Sequence, residues 1–157
     1  MRKIFIETMK EIMKKDPLTY LLLGDVASDV FYGIKNEYPN NILNIGINEQ
    51  STIGIASGMA LEGLRPYVFS IIPFVLERPF EQIKLDIVQQ NVNVKLIGFW
   101  NYPSAGPTHF TREPKKICDI LGLESFFPKN SLEVKEMIME MHYQKKPAFF
   151  YLTKNKT

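Results

Sequence analysis

The sequence predicts an α/β fold of three layers, in which a parallel sheet of about six strands lies between two layers of helices. Short apolar runs alternate with segments of helical periodicity along the chain. The apolar runs are nearly continuous and not alternating, which is the pattern that burial on both faces of a parallel sheet requires. The chain has 157 residues, a common size for one domain, so we expect residues 1–157 to form a single domain.

The elements follow one another in a regular order. A first helix is predicted over residues 3–15, because apolar residues recur there at helical spacing and Asp16-Pro17 ends it. The apolar runs predict strands at Tyr20–Leu23, Ile42–Ile45, Tyr67–Ile72, Val94–Phe99, Ser125–Phe127 and Ala148–Leu152. Between the strands, helical patterns predict helices near residues 28–36, 49–62, 75–89, 112–121 and 131–144. The tail Lys154–Thr157 is expected to fray.

Composition and charge argue against several classes of protein. Apolar residues make up 45% of the chain and charged residues 23%, which does not support a disordered, collagen-like or coiled-coil protein. The net charge is +2, and the basic clusters Lys14-Lys15, Lys115-Lys116 and Lys145-Lys146 are expected to be solvated, with a phosphate-bearing partner as the alternative. We expect no nucleic-acid partner.

Targeting signals and cysteine usage bear on the compartment. No apolar run approaches the roughly 20 residues of a transmembrane helix, and the charged N-terminus does not resemble a signal peptide. The single cysteine, Cys118, is expected to be a buried thiol in a reducing compartment. We therefore expect a cytoplasmic protein with no membrane partner.

The unusual residues of the chain follow the predicted strands. Ligands of open parallel sheets bind at the carboxyl ends of the strands, which here selects the segments Gly24–Asp29, Gly46–Gln50, Ile71–Arg78 and Asn101–Thr111. Gly24-Asp25 is compatible with a phosphate or metal site but is a common strand ending. The sequence contains no Gly-x-Gly-x-x-Gly and no Walker loop, so a nucleotide fold with its own phosphate cradle is not predicted.

Glu49 is the first candidate for catalysis. It follows Asn48, a good helix N-cap residue, and a carboxylate in the first turn also simply stabilises a helix. The following helix carries the small residues Gly54, Ser57, Gly58 and Ala60, of which glycine and serine lower helix propensity, by up to about 1 kcal/mol each. This cost favours a close contact with another helix, a subunit or a ligand.

Phe74, Arg78 and His109 are further candidates. Phe74 follows Pro73 at a strand–helix junction, where its ring can stack on a planar heterocycle, and Arg78 is one turn further on. His109 ends the turn Gly106-Pro107-Thr108-His109, which places an imidazole at a loop tip, although a solvent-facing loop histidine is the alternative. His142 is expected at the surface, and neither histidine has metal-ligand spacing.

The order of these motifs resembles the pyrimidine-binding domain of transketolase-like thiamine diphosphate enzymes. The matching positions are Gly24-Asp25, Gly46 to Gln50, Gly54 to Gly58, Phe74 and Gly106 to His109, and they cover most of the chain. The resemblance is closest to transketolase and 1-deoxyxylulose-5-phosphate synthase. It implies the fold of a thiamine diphosphate-binding pyrimidine domain.

The resemblance also implies roles for six residues. The glutamate that matches Glu49 hydrogen-bonds N1′ of the aminopyrimidine and so activates the cofactor's own amino group as a base. Phe74 would stack on the pyrimidine and Ile47 would support the bent cofactor, while Asp25 and Arg78 would lie near its rings. His109 matches a histidine that binds oxygen atoms of the donor.

The sequence departs from the family pattern in two ways, one of which concerns the substrate and the other the cofactor site. Ala105 occupies the position of a family aspartate that contacts a hydroxyl of the sugar acceptor, which disfavours ordinary pentose-phosphate substrates. Family members also carry a diphosphate-binding domain with a Gly-Asp-Gly…Asn motif that holds Mg²⁺, and this sequence has no such motif. The chain therefore resembles half of a cofactor site.

The resemblance implies the pyrimidine-binding subunit of a split transketolase-like enzyme. This enzyme would transfer a two-carbon ketol-type unit from a small sugar or 2-oxoacid to an aldehyde. A partner subunit, in a heterotetramer, would hold Mg²⁺ and the diphosphate. The alternatives are a split 2-oxoacid decarboxylase, a carboligase like 1-deoxyxylulose-5-phosphate synthase, or a non-catalytic regulatory subunit.

Overall fold

The computed structural model of the chain describes residues 1–25 and 28–153. Its six strands form one parallel sheet in the order β2-β1-β3-β4-β6-β5. The strands are β1 Thr19–Leu23, β2 Ile42–Asn44, β3 Arg65–Ser70, β4 Lys95–Phe99, β5 Glu124–Phe126 and β6 Ala148–Leu152. The central strands β3, β4 and β6 are almost entirely buried, as the continuous apolar runs predict.

The helices lie between the strands along the chain. They are α1 Arg2–Lys15, α2 Tyr32–Glu37, α3 Glu49–Leu61, α4 Ile72–Leu76, α5 Phe80–Gln82, α6 Pro114–Leu121 and α7 Ser131–Tyr143. A short 3₁₀ helix at Ser28–Phe31 precedes α2, and α5 continues as a π-helix over Ile83–Val88. None of the described helices is long and apolar enough to cross a membrane.

Neighbouring residues of one strand face two separate cores. In β3, Phe69 packs in a cluster with residues of α1 and α7, whereas Val68 packs in a second cluster with residues of α3, α4 and α6. The same alternation places Phe150 and Phe149 of β6 in the first and second cluster. The three-layer α/β prediction is therefore confirmed, while the assignment of residues 1–157 to a single domain stays a prediction.

Several predicted boundaries differ from the observed ones. The strand predicted to reach Ile72 ends at Ser70, because Ile72 already opens α4 with Pro73 in its first turn. The single helix predicted over residues 75–89 is wrong. It is divided at Glu77–Pro79, where proline has no amide hydrogen to continue the helix. Val26 and Ala27 of the predicted segment Gly24–Asp29, and the tail Lys154–Thr157, lie outside the described residues.

The surface prediction for His142 is wrong. Its side chain is buried against the amino ends of the strands, with Nδ1 3.0 Å from the hydroxyl of Tyr67 and Nε2 3.4 Å from Oδ2 of Asp16. The last turn of α7 directs it inward, since Met141 and His142 both face the sheet. Burial lowers the pKa of His142, and the carboxylate of Asp16 partly opposes this effect.

The other side-chain predictions agree with the structure. Cys118 is buried, and burial raises the pKa of its thiol to about 12. The lysines of the three basic clusters are all exposed. Lys115 and Lys116 form surface ion pairs with Asp119 and Glu113 of their own helix region.

Candidate active site

The candidate site is a cavity at the carboxyl ends of β1, β2 and β3. Its volume is about 60 Å³, and it is lined by Gly24, Asp25, Gly46, Ile47, Glu49, Thr52, Ile53, Val68, Phe69, Ser70, Phe74 and Val75. Four of the predicted site residues, Asp25, Ile47, Glu49 and Phe74, therefore share one cavity. Its inner wall is apolar, and the carboxylates stand where the loops leave the sheet.

Two strand-end loops are joined by an amide side chain that the sequence analysis missed. Asn44, the last residue of β2, donates from Nδ2 to Oδ1 of Asp25 at 3.1 Å, and its Oδ1 accepts from the amide of Gly46 at 2.8 Å. Gly46 has a φ of +81°, a conformation that favours glycine. Asn44 thereby fixes the turn that leads into α3.

Glu49 is the first residue of α3, directly after the turn at Gly46. Asn48 occupies the N-cap position, as predicted, although its side chain makes no capping hydrogen bond. The backbone carbonyl of Asn48 accepts instead from the amide and the hydroxyl of Thr52, at 2.9 and 2.8 Å. This start of the helix holds Glu49 at the rim of the cavity, with its side chain 19% exposed.

Arg78 contacts two of the predicted cofactor-binding residues. Its Nη1 donates to Oε1 of Glu49 at 2.6 Å, and its guanidinium carbon lies 3.4 Å from the centre of the Phe74 ring. Phe74 itself is 6% exposed. The sequence predicts that Arg78 and Phe74 lie close together, but no pattern in it pairs the arginine with the glutamate.

The loop that carries His109 is closed by a second asparagine. Nδ2 of Asn101 donates to the carbonyl of Thr111 at 2.8 Å, and Oδ1 of Asn101 accepts from the amide of Thr111 at 3.1 Å. Between them, the amide of Tyr102 donates to the carbonyl of His109 at 2.8 Å. These three hydrogen bonds fold residues 101–111 back beside the cavity.

His109 lies in this loop with both its ring and its backbone held. The imidazole packs against Phe74, with ring centres 5.0 Å apart and planes at 65°, and its Nδ1 is 3.0 Å from Oγ1 of Thr108. The structure therefore brings all six predicted site residues together. Ala105 is exposed in the same loop, and Ile47 is 74% exposed at the cavity mouth.

The small residues of α3 divide between two faces. Ala56 and Ser57 are buried, and the Ser57 hydroxyl donates to the carbonyl of Asp86 in the π-helix at 2.7 Å. Gly54 and Gly58 are exposed. The close contact expected from the small residues thus exists on one face of the helix.

The missed residues share a weak sequence signal. Asn44 interrupts the apolar run Ile42–Ile45 near its end, and Asn101 follows the run that ends at Trp100; amide side chains at such places often bond to nearby backbone groups. In the described part of the chain, no cluster of three or more His, Cys, Asp or Glu side chains is arranged to hold a metal ion.

Comparison with protein families identifies the domain. The family model described as "Transketolase, pyrimidine binding domain" matches residues 1–157, which confirms the resemblance found in the motifs. An "Uncharacterized 33.6 kDa protein in fasciation locus" of Rhodococcoides fascians is 36% identical over 140 residues, which cover 87% of this chain and 45% of that protein.

Two further relatives carry functional names. A subunit of an apulose-4-phosphate transketolase from Actinobacillus succinogenes is 35% identical over 106 residues, covering 65% of this chain and 34% of that protein. A "1-deoxy-D-xylulose-5-phosphate synthase" of Halalkalibacterium halodurans is 37% identical over 95 residues, covering 58% and 14%. The chain spans half or less of the length of each of these relatives.

Solved structures share the fold. A structure described as "Split gene transketolase, inactive beta4 tetramer" superposes with a TM-score of 0.88 at 20% identity, covering 98% of this chain and 51% of that one. A transketolase of Campylobacter jejuni superposes with a TM-score of 0.81 at 16% identity, covering 98% and 25%.

Proposed function

Because the chain belongs to the family of transketolase pyrimidine-binding domains, we propose that it is the pyrimidine-binding subunit of a split, thiamine diphosphate-dependent transketolase. Its reaction would transfer a two-carbon ketol-type unit to an aldehyde acceptor. Two observations support the split arrangement. One relative is itself a separate subunit of a transketolase, and one solved structure with the same fold is a split-gene transketolase chain.

The observation that carries the proposal is the position of Glu49. Its carboxylate stands at the rim of an apolar cavity, next to the ring of Phe74, where the turn after β2 enters α3. These residues fit the aminopyrimidine end of thiamine diphosphate, which needs an acceptor for a ring N–H and apolar walls for a flat heterocycle. Thiamine diphosphate supplies a carbanion that attacks carbonyl carbons.

Each residue has a separate task in this proposal. The carboxylate of Glu49 shares a proton with N1′ of the pyrimidine, which makes the exocyclic amino group of the ring a stronger base. Phe74 supplies a flat apolar contact, Ile47 supports the cofactor at the cavity mouth, Asp25 borders its rings, and Arg78 lies beside Glu49.

His109 is the proposed contact to the substrate. Its Nδ1 is engaged by Thr108, so we assign Nε2 as the nitrogen that meets a substrate oxygen. A donor held there would be oriented and its developing negative charge stabilised. Ala105 is exposed in the same loop and offers no carboxylate to an acceptor hydroxyl, which favours acceptors other than ordinary pentose phosphates.

A partner subunit would complete the site. We infer that it carries the Gly-Asp-Gly…Asn motif, holds Mg²⁺ and the diphosphate, and joins this chain in a cytoplasmic heterotetramer. The matched family model describes a pyrimidine-binding domain, which supports this division of the cofactor. The exposed face of α3 is the candidate contact surface. Ile55 and Leu61, 42% and 62% exposed, flank Gly54 and Gly58 there.

A carboligase reaction with a 2-oxoacid donor is the second candidate. The relatives that are 1-deoxyxylulose-5-phosphate synthases favour it. Donor profiling separates the two reactions, because the 2-oxoacid route releases carbon dioxide and the ketol transfer does not. A regulatory subunit without catalysis is a third possibility, and it predicts no turnover with any donor.

The test is a reconstitution with a diphosphate-binding subunit from the same organism, Mg²⁺ and thiamine diphosphate. Glu49→Gln should lower kcat by about 10²-fold or more, because an amide cannot share the N1′ proton in the same way. Glu136→Gln, on the exposed side of α7, is the matched control and should retain wild-type activity. Full activity in the Glu49→Gln complex would refute the proposal.

A further inference from the structure

Arg78 engages both residues that the proposed function reserves for the cofactor's pyrimidine. Its guanidinium donates to Oε1 of Glu49 at 2.6 Å and lies 3.4 Å from the centre of the Phe74 ring. The contact with Glu49 joins two parts of the fold, since Glu49 opens α3 and Arg78 follows α4, whereas Phe74 lies one turn before Arg78. The inference drawn from this arrangement rests on the proposed function.

The guanidinium of Arg78 resembles the aminopyrimidine in its shape and in its hydrogen-bond donors. It is flat, it stacks on aromatic rings, and it directs N–H donors toward a carboxylate in its own plane. An aminopyrimidine whose N1′ shares a proton with Glu49 and whose ring stacks on Phe74 would make the same two contacts. The free chain therefore already holds a substitute for the pyrimidine.

Phe74 has little ring surface left for a second flat partner. It is 6% exposed, one face carries the guanidinium, and the imidazole of His109 packs against it at 65° with ring centres 5.0 Å apart. Stacking of a heterocycle on Phe74 thus requires that one of these neighbours move. His109 is held by its loop, whereas the Arg78 side chain is 38% exposed.

A recess beside Glu49 has room for the displaced side chain of Arg78. This recess of about 380 Å³ adjoins Glu49 and is lined by Ile47, Asn48, Glu49, Gln50 and Arg78. The backbone of Arg78 is fixed by the bond from its amide to the carbonyl of Pro73 at 3.1 Å. A movement of the side chain into this recess would uncover Phe74 while the backbone hydrogen bond of Arg78 stays in place.

We propose that Arg78 is a latch. In the free chain, its side chain makes the contacts to Glu49 and to the ring of Phe74 that the pyrimidine needs. When the cofactor binds, the guanidinium would move from Phe74 into the recess beside Glu49. Glu49 would then lose its ion pair with Arg78 and gain a hydrogen bond to N1′ of the pyrimidine. The latch is an autoinhibitory contact that competes directly with the cofactor.

The test measures binding of thiamine to the isolated chain by NMR titration. Arg78→Met removes the competing contacts, and an exposed ion pair with a cation–π contact corresponds to a gain in affinity of about tenfold. Arg112→Met, an exposed arginine of the neighbouring loop, should bind like wild type. Thermal unfolding of each variant checks that the fold is intact.

The outcomes separate the latch from the proposed function. If Arg78→Met binds thiamine no more tightly than wild type, or if neither binds it, the latch is overturned. If Glu49→Gln leaves the affinity unchanged in both the wild-type and Arg78→Met backgrounds, the proposed role of Glu49 fails instead. A second readout is the Nε–H signal of Arg78, assigned from its absence in Arg78→Met. This signal should shift when thiamine saturates the wild-type chain, and an unmoved signal contradicts the latch.

Discussion

Replacement of Gly98 by alanine should destabilise the fold at the centre of the sheet. Gly98 lies in β4, paired with Ser70 on one side and Tyr151 on the other. A Cβ atom at this position would stand 2.6 and 2.7 Å from ring carbons of Phe149 and 3.1 Å from Cγ1 of Ile72. Optimal contacts between carbon atoms are about 3.5–4.0 Å, so the neighbours must move apart.

The expected cost follows from what surrounds the new methyl group. Phe149 is completely buried, and overpacking of a closed core costs about 1–3 kcal/mol. Part of this cost is offset, because alanine in a strand is more favourable than glycine by roughly 0.5–1 kcal/mol of conformational free energy. We therefore expect the free energy of unfolding to fall by about 1–2 kcal/mol. The strain also reaches Ile72, which opens the helix that carries Phe74.

Urea denaturation measures this change. The midpoint should fall with an unchanged slope, since the folded and unfolded states keep their surface areas. Gly58→Ala is the matched control. It lies on the exposed side of α3 with nothing within 4 Å of its Cβ position, so alanine should stabilise it by up to about 1 kcal/mol. A second variant, Phe149→Leu, should make the loss from Gly98→Ala smaller than in the wild-type background. Equal stability of Gly98→Ala and wild type would refute the reasoning.

Two further predictions concern the polar groups. Because burial lowers the pKa of His142, the unfolded chain takes up this proton first, so the free energy of unfolding should fall as the pH drops below about 6.5. Urea titrations of His142→Gln at successive pH values should show a smaller decrease in the free energy of unfolding below this pH. The same pH dependence in the variant and the wild type would contradict the prediction. Asn101→Ala removes both side-chain bonds to Thr111, so the Tyr102 amide should exchange its hydrogen about tenfold faster. Asn101→Asp keeps one acceptor and should give an intermediate rate, whereas equal rates in all three chains would show that the loop does not depend on this residue.

The sheet and the gathering of the site were predictable for one physical reason. Buried parallel strands leave a continuous apolar signal, and their carboxyl ends must meet at one edge. Asp25, Glu49, Phe74 and His109 follow four different predicted strands, so the topology alone brings them to that edge. This prediction requires neither the order of the strands in the sheet nor the depth of the cavity.

The errors arise where long-range packing decides a local structure. The apolar periodicity of residues 75–89 continues through Glu77–Pro79 and so conceals the break after α4. The π-helix that follows packs against α3, where Ser57 bonds to the carbonyl of Asp86, and periodicity carries no information about that neighbour. His142 was misplaced for the same reason, because its partner Tyr67 is distant in sequence.

Under the proposed function, the pairing of Glu49 with Arg78 explains how half of a cofactor site can be stable by itself. A carboxylate that is only 19% exposed is costly to leave without a partner. The arginine supplies that partner in the free chain, and under the proposed function N1′ supplies it in the complex. Glu49 then has a partner in the free chain and in the complex. Its contact with the pyrimidine therefore adds to the binding free energy only the difference between these two favourable interactions. Most of the cofactor's affinity must then come from the diphosphate end, which the proposed partner subunit holds. An isolated chain that binds thiamine weakly, and binds thiamine diphosphate little better, follows directly from this exchange.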